Sequence, residues 1–337
     1  MTPCVNGRYL AQRLTGVQRY AREIVSRWEP VPVFQPKRGG KGASGHLWEQ
    51  FRLPTLTRGL LWSPCTTGPL AVRQQVVTIH DTAFVDRAEC FTRAFAAWYQ
   101  WLVPRLARRV QRIITVSQFS KQRIVEYCRV PEEKVEVISC GVGPQFQPQS
   151  AQNIAQAREQ LQLPARYALC VCSLEPRKNL HRLLQSWAAM KDRPDDLHLV
   201  LVGTKAKVYG DIGLSEAPQN VVLAGYVGDD LLPAVYAGAE FFACPSLYEG
   251  FGLPVLEAMA CGVPVICSNS TSLPEVAGDA ALLVDPLQIE SIAAAMQQLA
   301  NDASLRDQLR QRGWERAKLF SWDDAARKTW DLLTSAG

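Results

Sequence analysis

No apolar run in this 337-residue chain reaches the roughly 18 residues that a membrane-spanning helix needs, so a helical integral membrane protein is not expected. The opening residues, Met1 to Arg8, lack the basic-then-apolar pattern of a secretory leader. Charged residues are few, at 20%, and apolar ones reach 47%, which sets aside disorder, collagen and coiled coil. No short-period repeat is present. Cysteine is plentiful, at ten, but it lacks the spacing of a zinc site: Cys170 and Cys172 lie one residue apart with no second pair. Most cysteines, Cys244 and Cys267 among them, sit inside apolar strand-like runs, where a thiol behaves as a small hydrophobe. A reducing cytoplasm is the expected setting.

What is present is length enough for about two domains and a net charge of +5 that conceals a division. Residues 1–150 carry 21 Lys and Arg against 10 Asp and Glu, a net +11, while residues 151–337 carry 16 against 22, a net −6. Halves this unlike suggest two tasks. Both alternate short β-rich runs with helical stretches. In the first half strands are predicted near Val31–Phe34, Leu60–Trp62, Val76–Ile79, Arg112–Val116 and Val135–Ser139. Helices are predicted over Val17–Trp28, Phe91–Val110 and Ser117–Tyr127. In the second half strands are predicted at Tyr167–Ser173, Leu197–Gly203, Val221–Ala224, Phe241–Cys244, Pro264–Ser268 and Ala281–Val284. This alternation predicts an α/β chain of parallel sheets covered by helices. A Pro- and Gln-rich connector, Gly143 to Ser150, divides it into domains of 1–148 and 149–320. Two doubly wound domains would put a ligand in the cleft between them.

Gly40-Lys41-Gly42-Ala43-Ser44-Gly45 matches a dinucleotide fingerprint. The helix that should follow is not expected, because the chain runs on to Pro54, and no acid lies about 20 residues beyond. The stretch from Pro36 to Arg52 is read as a basic loop.

The richest stretch runs from Pro245 to Gly262. A strand ends at Cys244, and a loop with Gly250 and Gly252 opens onto a helix that Gly262 terminates. The N–H groups at such a helix start form an anion site, and the glycines let a ligand approach the backbone. Glu249 precedes the helix and could simply cap it. Glu257 lies two turns in, among Leu256, Ala258, Met259 and Ala260, where an idle carboxylate would be costly.

Glu249 and Glu257, with seven residues between them in a Glu-Gly-Phe-Gly-Leu-Pro context, resemble the paired-glutamate signature of the retaining GT-B glycosyltransferases of family 4. The resemblance extends through Ser173–Leu180, Leu223–Val227 and Ser272–Ala280. It reaches the first half in Thr15–Tyr20, Thr78–Asp81 and Thr115–Lys121. It therefore covers nearly the whole chain, and it comes nearest to bacterial mannosyltransferases that build O-antigen and exopolysaccharide. It implies a GT-B fold, two Rossmann-like domains facing a central cleft, with a last segment of 321–337 returning as a helix to the first domain. It also implies transfer of a hexose, mannose from GDP-mannose, with retention at the anomeric carbon. A UDP- or dTDP-sugar donor is the alternative, and a non-catalytic sugar-nucleotide-binding scaffold is the rival from another class.

Residue by residue, the resemblance implies that Arg177 and Lys178 neutralise the departing diphosphate, with Glu249 beside the transferred sugar and Glu257 on the ribose hydroxyls. Tyr226 and Val227 would flank the base, and Gly16 and Val17 would approach the phosphates. Gly203, Gly250, Phe251, Gly252 and Leu253 would complete the donor site. Arg suits phosphate by its fork of donors and Lys by its point charge. Two solvated cations at a helix start are the plainer reading, yet cations there oppose the dipole unless an anion joins them. His80, at a strand's C-terminal end, would contact the sugar, with Asp81 orienting it; a core histidine is the plainer reading. Ser117 and Ser120 fall on the acceptor side and are read first as helix caps. No metal or other cofactor is expected, since the paired aspartates, Asp195-Asp196, Asp229-Asp230 and Asp323-Asp324, are adjacent and lack Asp-x-Asp spacing.

Residues 87–129 interleave Arg93, Arg105 and six further arginines and a lysine with Phe91, Phe95, Trp98, Tyr99 and Trp101. Phe91, Phe95 and Trp98 could form a core stripe, or the stretch could dock on an anionic membrane face to receive a lipid-linked saccharide. No nucleic-acid-binding motif accompanies the basic charge.

Overall fold

The computed structural model describes residues 2–12, 14–37, 40–173, 175–203 and 219–336. The chain divides into two compact units. One comprises Met1–Gly141 with Ser321–Gly337, and the other Val142–Phe320.

The first unit is built on strands β1 (Cys4–Asn6), β2 (Val33–Phe34), β3 (Leu61–Ser63), β4 (Gln75–Thr78), β5 (Arg112–Thr115) and β6 (Val135–Val137). They pair in parallel in the order β2-β1-β3-β4-β5-β6. The second is built on β7 (Arg166–Val171), β8 (Leu197–Val202), β9 (Val221–Gly225), β10 (Phe241–Cys244), β11 (Val265–Ser268) and β12 (Ala281–Val284). These too are all parallel, in the order β12-β11-β10-β7-β8-β9. A parallel sheet covered on both faces needs strands that are apolar on both. Val76 and Val77 of β4 and Phe241, Phe242 and Ala243 of β10 are all buried. Strand order reverses between β1 and β3 in one unit and between β7 and β10 in the other. At such switch points the strands' C-terminal ends open the crevice that doubly wound sheets use for ligands.

Two expectations need correction. The first strand is Cys4–Asn6, not the run at Val31: β1 lies inside the sheet, between β2 and β3. Three residues are too few to show a period, although all three are buried. The segment read as a loop up to Arg52 is also helical, with an α-turn at Gly42–Leu47, a π-turn at Trp48–Arg52 and another α-turn at Leu53–Leu56. Pro54 does not stop it, because it falls in the opening residues of that last turn, where a missing N–H costs no bond.

Helix Trp322–Ala336 packs on helix Gly16–Val25 and the turn after it, within the first unit. The rings of Tyr20 and Trp322 meet edge to face at 6.1 Å. Trp28 Nε1 donates to the Ala326 carbonyl at 3.0 Å, and Arg27 Nε pairs with Asp323 at 2.6 Å.

Candidate active site

In the second unit the chain leaves β7 and forms a 3-10 turn, Pro176–Lys178. Asn179 follows in the left-handed conformation, φ 60°. Its buried side chain donates to the carbonyls of Pro245 (2.9 Å) and Pro286 (2.7 Å). The turn is thereby tied to the loop after β10, and Leu247 N donates to the Arg177 carbonyl at 2.7 Å. The two loops bring charge together. Lys178 Nζ lies 2.6 Å from Glu249 Oε1, Arg177 Nη1 lies 3.6 Å from Glu249 Oε2, and Arg177 Nε lies 2.5 Å from Glu175. The anion that two cations at a helix start require is thus supplied by the protein itself.

Glu249 is only 6% exposed. Burial pushes its carboxyl up, but Lys178 and then Arg177 outweigh that and hold it below the usual carboxylate range. Burial likewise pulls Lys178 down, and Glu249 reverses it, so the ammonium is held above its ordinary value. The result is a charged, desolvated pair at the switch point, where Coulomb interactions are stronger than in water.

Gly252 caps helix Leu253–Ala260 at φ 112°. A Cβ there would lie 2.6 Å from Leu273 Cδ2, so both conformation and space call for glycine. Phe251 is buried edge to face on Phe320, at 5.7 Å, and Gly250 is buried beside it. Glu257, 7% exposed, is not idle: Tyr236 donates its hydroxyl to Oε2 at 3.0 Å. Burial first, and Glu257 next, push that phenol well up, so it stays a donor. Gly203 follows β8, and a Cβ there would meet the Cys172 carbonyl at 2.1 Å. Tyr226, after β9, is 63% exposed, whereas Val227 is buried.

In the first unit His80 follows β4 and is buried against Tyr20, ring to ring at 4.8 Å. Its Nε2 lies 2.8 Å from the Pro64 carbonyl. A carbonyl only accepts, so Nε2 carries the proton. Burial pulls the imidazole pKa down, which leaves a neutral ring with Nδ1 as an acceptor. Asp81 Oδ1 accepts from Ala83 N at 3.0 Å and starts the next turn. Ser117 caps helix Gln118–Cys128, accepting from Ser120 N at 3.0 Å, and both serines are fully buried. Gly16 and Val17 begin helix Gly16–Val25, where Thr15 N donates to Gln18 Oε1 at 3.2 Å.

The same unit's switch point holds a cluster that the sequence reading missed. Arg8 pairs with Glu49 at 3.0 Å. Glu49 also accepts from Asn6 (2.8 Å) and Thr67 (3.1 Å). The missed helical segment supplies Glu49, so its partners could not be read from the sequence.

On helix Arg93–Arg109 the buried face is Ala96, Leu102, Val103, Leu106 and Ala107. Phe95 (38%) and Trp101 (44%) stand outside it. Phe95 stacks between Phe91 and Tyr99, at 5.1 and 4.1 Å, and Arg105 lies 4.7 Å over the Trp101 ring. Phe91 and Trp98 are half-buried and Tyr99 packs against the unit's core, so the helix joins core-facing aromatics to an exposed patch at Phe95, Trp101 and Arg105. Among the described residues no helix is long and apolar enough to cross a membrane.

Two family descriptions match this chain: "Glycosyl transferases group 1" over residues 152–316 and "Glycosyltransferase Family 4" over residues 57–146. The chain is 34% identical over 269 residues to O-antigen chain mannosyltransferase B of Escherichia coli, covering 77% of this chain and 70% of that protein. It is 31% identical over 242 residues to the serotype-specific mannosyltransferase WbdA of Escherichia coli, covering 67% of this chain but only 29% of WbdA. In fold it is similar to sucrose-phosphate synthase of Thermosynechococcus elongatus, with a TM-score of 0.79, 20% identity and 99% of each chain covered. The two parallel six-stranded sheets are those of a GT-B fold, and the chain belongs to the group 1 glycosyltransferases of family 4.

Proposed function

We propose that this glycosyltransferase moves mannose from GDP-mannose to a saccharide acceptor, lipid-linked, in the synthesis of a surface polysaccharide. The observation that carries the reading is the charged pair Lys178–Glu249, with Arg177 alongside, in a chain similar over 77% of its length to an O-antigen chain mannosyltransferase. The bond from the sugar's C1 to the diphosphate oxygen breaks, and one to the acceptor oxygen forms. The acceptor's proton passes to the departing diphosphate, and the configuration at C1 is retained. Lys178 and Arg177 meet the charge that grows on the leaving group, a role preorganised donors fill at about 10²–10³ in rate each. They take the part a metal would otherwise play. Glu249 faces the sugar, Glu257 takes the ribose hydroxyls, and neutral His80 accepts from a sugar hydroxyl. The second unit holds the donor. The first receives the acceptor and docks on anionic lipid through Phe95, Trp101 and Arg105, a reading that vesicle flotation tests.

The test of the donor is a thermal-shift comparison of GDP, UDP, dTDP and ADP. A ligand stabilises the fold by RT ln(1 + [L]/Kd), and GDP is expected to stabilise most. A clear win for UDP or dTDP overturns the mannose donor. Binding of GDP without turnover of GDP-mannose favours the scaffold.

A further inference from the structure

Three consecutive residues after β11 each grip a different part of the Glu249–Gly252 loop. Thr271 Oγ1 accepts from Glu249 N at 3.3 Å and donates to its neighbour's carbonyl, that of Ser270, at 2.6 Å. The fully buried Ser272 places its Oγ 2.9 Å from both the Glu249 and the Phe251 carbonyls. A hydroxyl has one proton, so Ser272 shares it between them. Leu273 fills the space where a side chain on Gly252 would stand, 2.6 Å from that Cβ position. One step earlier, Ser268 Oγ donates to the Ser246 carbonyl at 2.6 Å and anchors the start of the same loop. Thr271 sits at φ 62°, a left-handed conformation that β-branched residues avoid. Such strain persists only where the surroundings over-determine it.

From these contacts we propose that Thr271–Leu273 is a mould for the Glu249–Gly252 loop and that Ser272 is a positioning residue for sugar transfer. The proposal rests on the function proposed above. With Lys178 on its side chain, Thr271 on its N–H and Ser272 on its carbonyl, Glu249 is held at three points. Ser272 holds the Glu249–Gly250 and Phe251–Gly252 peptides, so its loss frees the part of the site assigned to the transferred sugar. The nucleoside is assigned to Glu257, on a helix Ser272 does not hold. A misplacement of about 1 Å costs on the order of 100-fold in rate, so a loosened loop is visible in turnover before it is visible in nucleotide affinity.

The experiment is Ser272→Ala in the full chain, with two readouts. The first is amide hydrogen exchange across residues 249–253, which needs no turnover. Exchange is expected to quicken about tenfold there and to stay unchanged in the β-strands of the same unit. The second is transfer from GDP-mannose beside GDP affinity. The kcat is expected to fall about tenfold or more, with the Kd for GDP held within about threefold. Unchanged exchange in the loop overturns the mould. Unchanged kcat in a variant whose parent transfers mannose, or equal losses of kcat and GDP affinity, overturns the positioning role. A parent that transfers no mannose refutes the function proposed above, while the exchange comparison still decides the mould. Should Ser272→Ala fail to fold, Thr271→Gly relaxes the left-handed φ, removes the other hydroxyl and is judged by the same readouts.

Discussion

At the switch point of the first unit Arg8 meets Glu49, and at that of the second Lys178 meets Glu249, in pairs of 3.0 and 2.6 Å. Position in the fold is the same, yet the surroundings differ. Glu49 accepts from Arg8, Asn6 and Thr67, and its oxygens are consumed by the folded chain. Glu249 faces two cations, Lys178 and Arg177, on a short 3-10 turn, and Arg177 also meets Glu175. The first cluster is bonded within itself. The second sets two cations, Arg177 and Lys178, against two carboxylates, Glu175 and Glu249. A switch point is therefore only a place, and the two differ in what surrounds the ion pair: the neutral Asn6 and Thr67 around Glu49, a second cation and a second carboxylate around Lys178–Glu249.

The largest effect that could break this contrast is on turnover. Arg177→Ala with Lys178→Ala is expected to lower kcat by at least about 10²–10³. Survival within about tenfold, which is only ~1.4 kcal/mol of barrier, would show that the diphosphate does not rely on them. Next comes stability. Glu49→Ala strands Arg8 as a buried unpaired cation, and a loss of about 3–5 kcal/mol is expected in denaturant unfolding. A variant of wild-type stability but without activity would make the first cluster a site after all. The smallest effect concerns the basic unit's surface. Anionic vesicles should float the protein, with about 1 kcal/mol lost per basic residue removed from the lipid face, Arg105 first. Binding that ignores salt, or none, sinks the membrane reading.

Much of the fold was legible because parallel strands are apolar throughout: β4, β7 and β10 stand out as runs. β1 did not, since Cys-Val-Asn is too short to show a period, and the helical segment after Gly42 was hidden by its glycines and Pro54. In the second unit the charged residues could be picked out by type and spacing, but not their pairing. That Lys178 reaches Glu249 depends on Asn179 bonding to carbonyls 66 and 107 residues away. Tyr236 and Ser272 were silent for the same reason. A hydroxyl declares its role only through its partner, and theirs lie 21 and 23 residues off in sequence.

The first unit is stitched from two stretches of chain, and its last helix, Trp322–Ala336, is made only after all of Val142–Phe320. At roughly 5–20 residues per second of synthesis, that is a delay on the order of 10 s or more. Until then Tyr20 and Trp28 lack the cover that Trp322 and Ala326 provide. A nascent chain thus carries an unfinished first unit while the second can already close, so the stretch up to Gly141, though made before the second unit, becomes native after it.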